Sequence, residues 1–184
     1  MKNPIGALAF TLAAAALAAP ISAQAQAEKF SNGPVFEDFG PVADIDADFE
    51  IPENMALKTS FDVSKRGEAG AVNGGFMSAA RFINMHARAG VPLKKIKLAI
   101  VVHGGAVDDV TIASHYGEEV GGENANAPLI AALIEKGVRV IVCGQSAAYH
   151  GVDNDELLPG VEMALSAMTA HAVLQAQGYA VNPF

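Results

Sequence analysis

Two nearly uninterrupted apolar runs, Ile96-Lys-Leu-Ala-Ile-Val-Val102 and Val138-Arg-Val-Ile-Val142, set the strongest limit on what this chain can become. A strand that is apolar on both faces must be covered on both, the situation of a parallel sheet flanked by helices. Helical text separates the runs. Asn73 can cap a helix reaching Ala89, with Phe76, Ala80, Ile83 and Ala87 on one stripe and Gly90 as its stop. Asn126-Ala127-Pro128 opens another as N-cap and first turn, which turns Leu129, Ile130, Leu133 and Ile134 inward and ends at Gly137. Leu57 to Val63 alternates like a strand buried mainly on one face, and Asp155 to Leu158 reads as a short helical turn stopped by Pro159. Val161 to Ala164 reads as a strand, Ala167 to Gln177 as a helix and Tyr179 to Val181 as a closing strand. This alternation predicts an α/β domain built on a parallel sheet. Residues 103–126 break the rhythm, and a connection of that length without periodicity usually carries function.

Upstream the composition changes twice. Residues 1–27 hold a single charge, Lys2, and no acid. Ile5 to Ala19 form an apolar core too short to span a bilayer, Pro20 breaks it, and Ala23, Ala25 and Ala27 are spaced like the small residues of a cleavage site. A secretory signal peptide is expected, cut after Ala25 or Ala27, with the mature chain secreted to the periplasm. No second apolar run is long enough for a membrane span. Residues 28–56 carry eight acids against Lys29 alone, three prolines, and Phe30, Phe36, Phe39 and Phe49. They are expected to form an extended acidic arm that docks its phenylalanines on the domain, residues 57–184, or on a neighbouring subunit. Asp44-Ile-Asp46-Ala-Asp48 resembles the start of a calcium loop, but Phe49 and Met55 stand where that loop needs Gly and Glu. A solvated acidic run is the better reading. The net charge of -8 argues against nucleic acid as a partner, since phosphates bind by releasing counterions to Lys and Arg.

In an open parallel sheet, ligands bind beyond the carboxyl ends of the strands. Two such ends stand out, Val102-His103-Gly104-Gly105 and Val142-Cys143-Gly144-Gln145-Ser146. Each places a reactive side chain after an apolar strand and follows it with Gly, which lets backbone amides approach a ligand. Neither matches a dinucleotide fingerprint or a P-loop, and no serine-hydrolase elbow is present, so no cofactor is expected. Cys143 is the sole cysteine, which excludes a disulfide scaffold and a multi-cysteine zinc site. In an oxidising compartment a lone thiol is buried, paired between chains, or used. Two readings stay open: a nucleophile supported by loop amides and by His103, or a packing residue at a strand end. Cys143 to Ser146 also reads as C-x-x-S, the monothiol form of a redox motif. Of the other histidines, His86 and His171 fall on helices and read as structural or exposed, whereas His115 and His150 flank the candidate site. A Cys143/His103/His150 metal site has no ligand spacing to support it.

The Cys at the end of a buried strand, the Val101-Val102-His103-Gly104-Gly105 strand end and the terminal Leu174-Gln-Ala-Gln-Gly178-Tyr179 together resemble the DsrE/DsrF-like family, from about Leu57 to Phe184. The resemblance implies a compact three-layer α/β fold, flavodoxin- or Rossmann-like, with a largely parallel sheet of about five strands. It also implies homotrimers or homohexamers, and a persulfide relayed on one cysteine, as relatives do in tRNA thiolation or sulfur oxidation. Only Cys143 can take that role here. His103 and the loop groups of Gly104, Gly105, Gly144, Gln145 and Ser146 would polarise the sulfur, in a pocket roofed by residues 103–126. The expected function is an exported DsrE-like protein that binds or relays sulfane sulfur, with an unidentified donor or acceptor protein. The alternative is a small-molecule or metal-binding module, or an oligomeric assembly protein, with Cys143 structural.

Overall fold

The structure, a computed structural model, describes residues 29–183; the expected signal peptide lies outside the described residues. Five strands pair in parallel: β1 (Leu57–Val63), β2 (Ile96–Val102), β3 (Arg139–Cys143), β4 (Glu162–Ala164) and β5 (Ala180–Asn182). Their order is β4-β3-β2-β1-β5, so the sheet grows on one side from β1 and the last strand returns to the other side of it. Among the described residues the α-helices are α1 (Gly74–Arg88), α2 (Ala113–Glu119), α3 (Ala127–Glu135), α4 (Gly144–His150) and α5 (Ala167–Ala176). None is long and apolar enough to cross a membrane.

The pleat sends alternate residues to opposite faces. On one face Phe61, Val63, Leu98, Ile100, Val140 and Val142 meet Phe76, Ala80 and Ile83 of α1 and Leu129, Ile130 and Leu133 of α3, forming the main core. On the other, Ala99, Val101 and Ile141 meet Ala170 and Leu174 of α5, with Ala164, Ala167 and Tyr179 packed around them. One helix cannot cover five strands, and polar residues occupy much of what it leaves open. Lys97 is exposed there, and Arg139 binds Glu162 across β3 and β4 through two hydrogen bonds of 2.9 and 2.7 Å. The layers are therefore unequal, and the thin one carries the site.

Asn73 caps α1 by accepting the Gly75 N–H at 2.8 Å, and Gly90 follows the helix at φ +86°. Asn126 departs from the expected N-cap role. Its backbone is already helical, and its side chain accepts the Asn73 N–H at 2.7 Å and donates to Asn124 instead. That exchange belongs to a buried polar network. Asp109 accepts from the Gly67 N–H at 2.8 Å and the Asn73 amide at 2.7 Å, while Asn124 donates to the carbonyls of Asp109 and Thr111. The network fixes residues 103–126, which form a 3₁₀ run over Gly104–Val110 followed by α2. Of this segment only His103 reaches the Cys143 cavity, so the expected roof is corrected: the start of α5 covers it.

The acidic arm begins docked on its own domain. Ser31 and Val42 pair antiparallel, and the loop between them lies on the outer side of α1 with Phe36 buried. Asn84 clamps it, accepting the N–H groups of Val35 and Phe36 and donating to the carbonyls of Phe36, Phe39 and Gly40. Phe30 and Phe49 remain exposed.

Candidate functional site

Parallel pairing sets the carboxyl ends of β1, β2 and β3 side by side, and each contributes one reactive group: Asp62, His103 and Cys143. The first turn of α5 closes over them. A cavity of about 360 Å³ lies between, lined by Asp62, His103, Cys143, Gln145, Ser166, Ala167, Met168 and His171.

Cys143 ends β3 and stands at the N-cap of α4, 5% exposed. The turn out of the strand needs Gly144, because a Cβ there would lie 2.7 Å from the Ala164 carbonyl oxygen on β4. Helix starts leave N–H groups without intrahelical partners, and two starts converge on the sulfur. Burial opposes ionisation of the thiol. The Ser146 hydroxyl and the N–H groups of Ser146, Ala167 and Gln145 outweigh it and hold the pKa below its usual value. These contacts favour a sulfur anion at the mouth of the cavity.

The imidazoles bind a carboxylate rather than the thiol. His103 Nε2 lies 3.1 Å from Asp62 Oδ1, and His171 Nε2 lies 2.7 Å from the same oxygen. An ionised carboxylate only accepts, so both rings present Nε2–H to it. Burial raises the Asp62 pKa, but the hydrogen bonds from His171 and His103 and their charge lower it further, leaving it below the ordinary range. The His103 N–H holds the Val63 carbonyl at 3.0 Å, which fixes the strand end from which the ring projects.

The remaining expected residues divide. Gly104 reaches the sulfur through an intermediary: its N–H donates to Ser146 Oγ at 3.0 Å, and Ser146 donates to Cys143. Its φ of +54°, with a would-be Cβ 2.9 Å from the Ser64 carbonyl oxygen, makes glycine the residue that fits. Gly105 does not line the cavity and sits near Arg66. Gln145 gives its N–H to the sulfur and its side-chain amide to the Leu165 carbonyl at 3.3 Å, tying α4 to the segment before α5. His150 is not in the cavity; its Nδ1 lies 3.4 Å from Asp108. The Cys143/His103/His150 set is therefore not assembled, and among the described residues no three His, Cys, Asp or Glu side chains are grouped to hold a metal.

Sequence reasoning missed Asp62 and His171. Asp62 carried a usable signal, being a carboxylate one residue before the end of a strand parallel to the one that leads into His103. His171 carried none, since 109 residues separate it from Asp62.

The model of the DsrE/DsrF-like family matches residues 61–183. Among solved structures, the chain is similar to a protein of unknown function, MTH1491, from Methanobacterium thermoautotrophicum: 19% identity, TM-score 0.50, covering 70% of this chain and 99% of that one. It is also similar to the ychN protein of E. coli, with 18% identity and a TM-score of 0.49, over 70% of this chain and 100% of that one. No curated protein matches. The likeness to MTH1491 concerns the fold; the family match spans most of the chain and takes in every strand end that lines the cavity, and on it the chain belongs to the DsrE/DsrF-like family.

Proposed function

We propose that this chain is an exported carrier that holds sulfane sulfur as a persulfide on Cys143 and works as a homo-oligomer, a trimer or hexamer. One observation carries the sulfur reading: a thiol at a cavity wall receives a hydroxyl and three backbone N–H groups, enough to lower its pKa against the cost of burial. A cysteine serving only as packing has no use for four donors, whereas a thiolate or persulfide anion is stabilised by them. The leader-like residues 1–27 support export, and N-terminal sequencing of the mature chain checks it.

The burial of Cys143 favours the rival reading, a structural thiol. Intact mass spectrometry of the protein as isolated, before and after reductant, separates the two. The carrier gains one sulfur that reductant removes, and native Cys143 reacts with iodoacetamide. Labelling only after denaturation would make it a packing residue.

A further inference from the structure

We infer that His171, Asp62 and His103 form a proton relay for the sulfur at Cys143: His103 exchanges the proton with the reacting sulfur, Asp62 positions its ring, and His171 donates the hydrogen bond that fixes Asp62. The inference rests on the reading of Cys143 as a sulfur carrier and adds residues and roles to it.

The two imidazoles are not equivalent. Both spend Nε2–H on Asp62, so their difference lies at Nδ1. In His171 that atom is buried without a hydrogen-bond partner, and the side chain is 18% exposed. A proton on that atom would find no acceptor, so the hydrogen bond His171 has to give is the one it spends on Asp62. In His103 the side chain is 31% exposed and lines the cavity, so its free nitrogen can take and return a proton. A carboxylate behind an imidazole holds the ring in one tautomer and stabilises the imidazolium. Asp62 occupies that place behind His103, and the 2.7 Å bond from His171 holds the carboxylate there. The titratable groups lining the cavity with His103 are Asp62 from β1, Cys143 from β3 and His171 from α5. Cys143 and His103 line one cavity of about 360 Å³, which has room for an incoming group.

The transfer balances without an oxidant. The Cys143 proton passes to His103, giving thiolate and imidazolium. The thiolate attacks the outer sulfur of a donor persulfide, R–S–SH; the new bond joins Sγ to that sulfur, and the donor's S–S bond breaks with its electron pair leaving on R–S⁻. That leaving thiolate takes the imidazolium proton and departs as R–SH. The proton of Sγ–SH then moves to the ring, leaving the persulfide anion beside an imidazolium. Sulfur changes carriers, and no net oxidation occurs.

The test uses the full chain with glutathione persulfide as donor. The rate of gain of one sulfur is followed by intact mass spectrometry across pH, with iodoacetamide labelling run beside it and thermal melts confirming the fold. General acid–base groups contribute about a hundredfold or more, so His103→Gln is expected to load about a hundredfold more slowly near neutral pH and to lose the imidazole limb of the profile. Asp62→Asn falls with it, because a neutral amide carries no charge to stabilise the imidazolium. His171→Leu slows loading, and His171→Gln, which keeps an N–H donor, restores most of the loss. Loading of His103→Gln at the wild-type rate with an unchanged pH profile overturns the relay, as does a His171→Gln variant no faster than His171→Leu. If the wild type takes no sulfur, the carrier reading fails and the relay is judged on labelling alone. An upward shift in the pH of half-maximal labelling in His103→Gln then supports it, and an unchanged value removes it.

Discussion

Ser146 links two strand ends through one oxygen. Its Oγ accepts the Gly104 N–H at 3.0 Å while its hydroxyl proton goes to the Cys143 sulfur. Ser146→Ala removes the strongest of the groups that lower the thiol pKa, so that pKa rises. Iodoacetamide labelling near neutral pH should slow several-fold and converge with the wild type at high pH, where both thiols are ionised. Asp109 makes the opposite case. Burial raises its pKa more than the hydrogen bonds from Asn73 and Gly67 and the charge of Arg66 lower it, and Asp108 raises it further. A folded pKa above the unfolded value gives stability that is complete below the unfolded pKa and lost as pH rises through the folded one. Asp109→Asn removes that loss, so its melting temperature relative to wild type should climb from pH 4 to pH 7; a flat difference would show that the carboxylate is compensated. Ala167 reaches the sulfur from α5, whereas Gln145 and Ser146 touch it and lie next to Cys143 in the chain, which is why they were legible. Asp62 and His171 were not, because folding alone joins a strand-end carboxylate to a helix histidine.

At the level of elements, side chains of α1 hold the arm, Asn84 foremost. Asn84 is fully buried on α1 and makes five hydrogen bonds to the backbone of residues 35–40, while Arg88 on the same helix binds Ser31, Asn32 and Val42. Gly33 packs so closely on Asn84 that any Cβ would overlap its amide. Asn84→Ala strands these backbone groups and should cost about 3 kcal/mol, read by denaturant unfolding, with residues 30–44 becoming open to protease in the folded protein. Protection equal to wild type would mean that Phe36 and the arginines of α1 anchor the segment without Asn84. Only part of this was visible beforehand. The phenylalanines announced a docked arm, but its receptor needed α1 to be placed first. The long strands β2 and β3 were legible because they are apolar on both faces, whereas α4 was hidden: Gly144 to His150 shows no stripe, and its start is dictated by the close approach of β4. Residues 103–126 lack periodicity for a related reason, since Asp108, Asp109, Thr111, His115, Asn124 and Asn126 are buried among Ala106, Val107, Val110 and Tyr116, and polar burial breaks the hydrophobic pattern.

Across the whole molecule, the unequal layers leave an apolar surface beside the cavity. Leu165 is 73% and Met168 80% exposed at the start of α5, and Met163 and Val173 continue the patch along a groove between that helix and the edge of the sheet. Contiguous exposed apolar surface of this kind commonly marks an interface, and a stable one removes about 800 Å² per partner from water. The arm is a poorer candidate for joining subunits, because residues 31–42 are spent on their own α1, and deleting them tests folding before assembly. The proposed oligomer is therefore expected to use the α5 face. Light scattering at micromolar concentration should return a multiple of the protomer mass. Leu165→Glu combined with Val173→Glu should lower it toward one protomer without changing the circular dichroism spectrum, since neither side chain belongs to a core cluster. Charges placed there oppose association and leave the internal packing untouched. An oligomer indifferent to both substitutions would move the interface elsewhere, and a protomer mass for the unsubstituted chain would make Cys143 a site that one subunit completes alone.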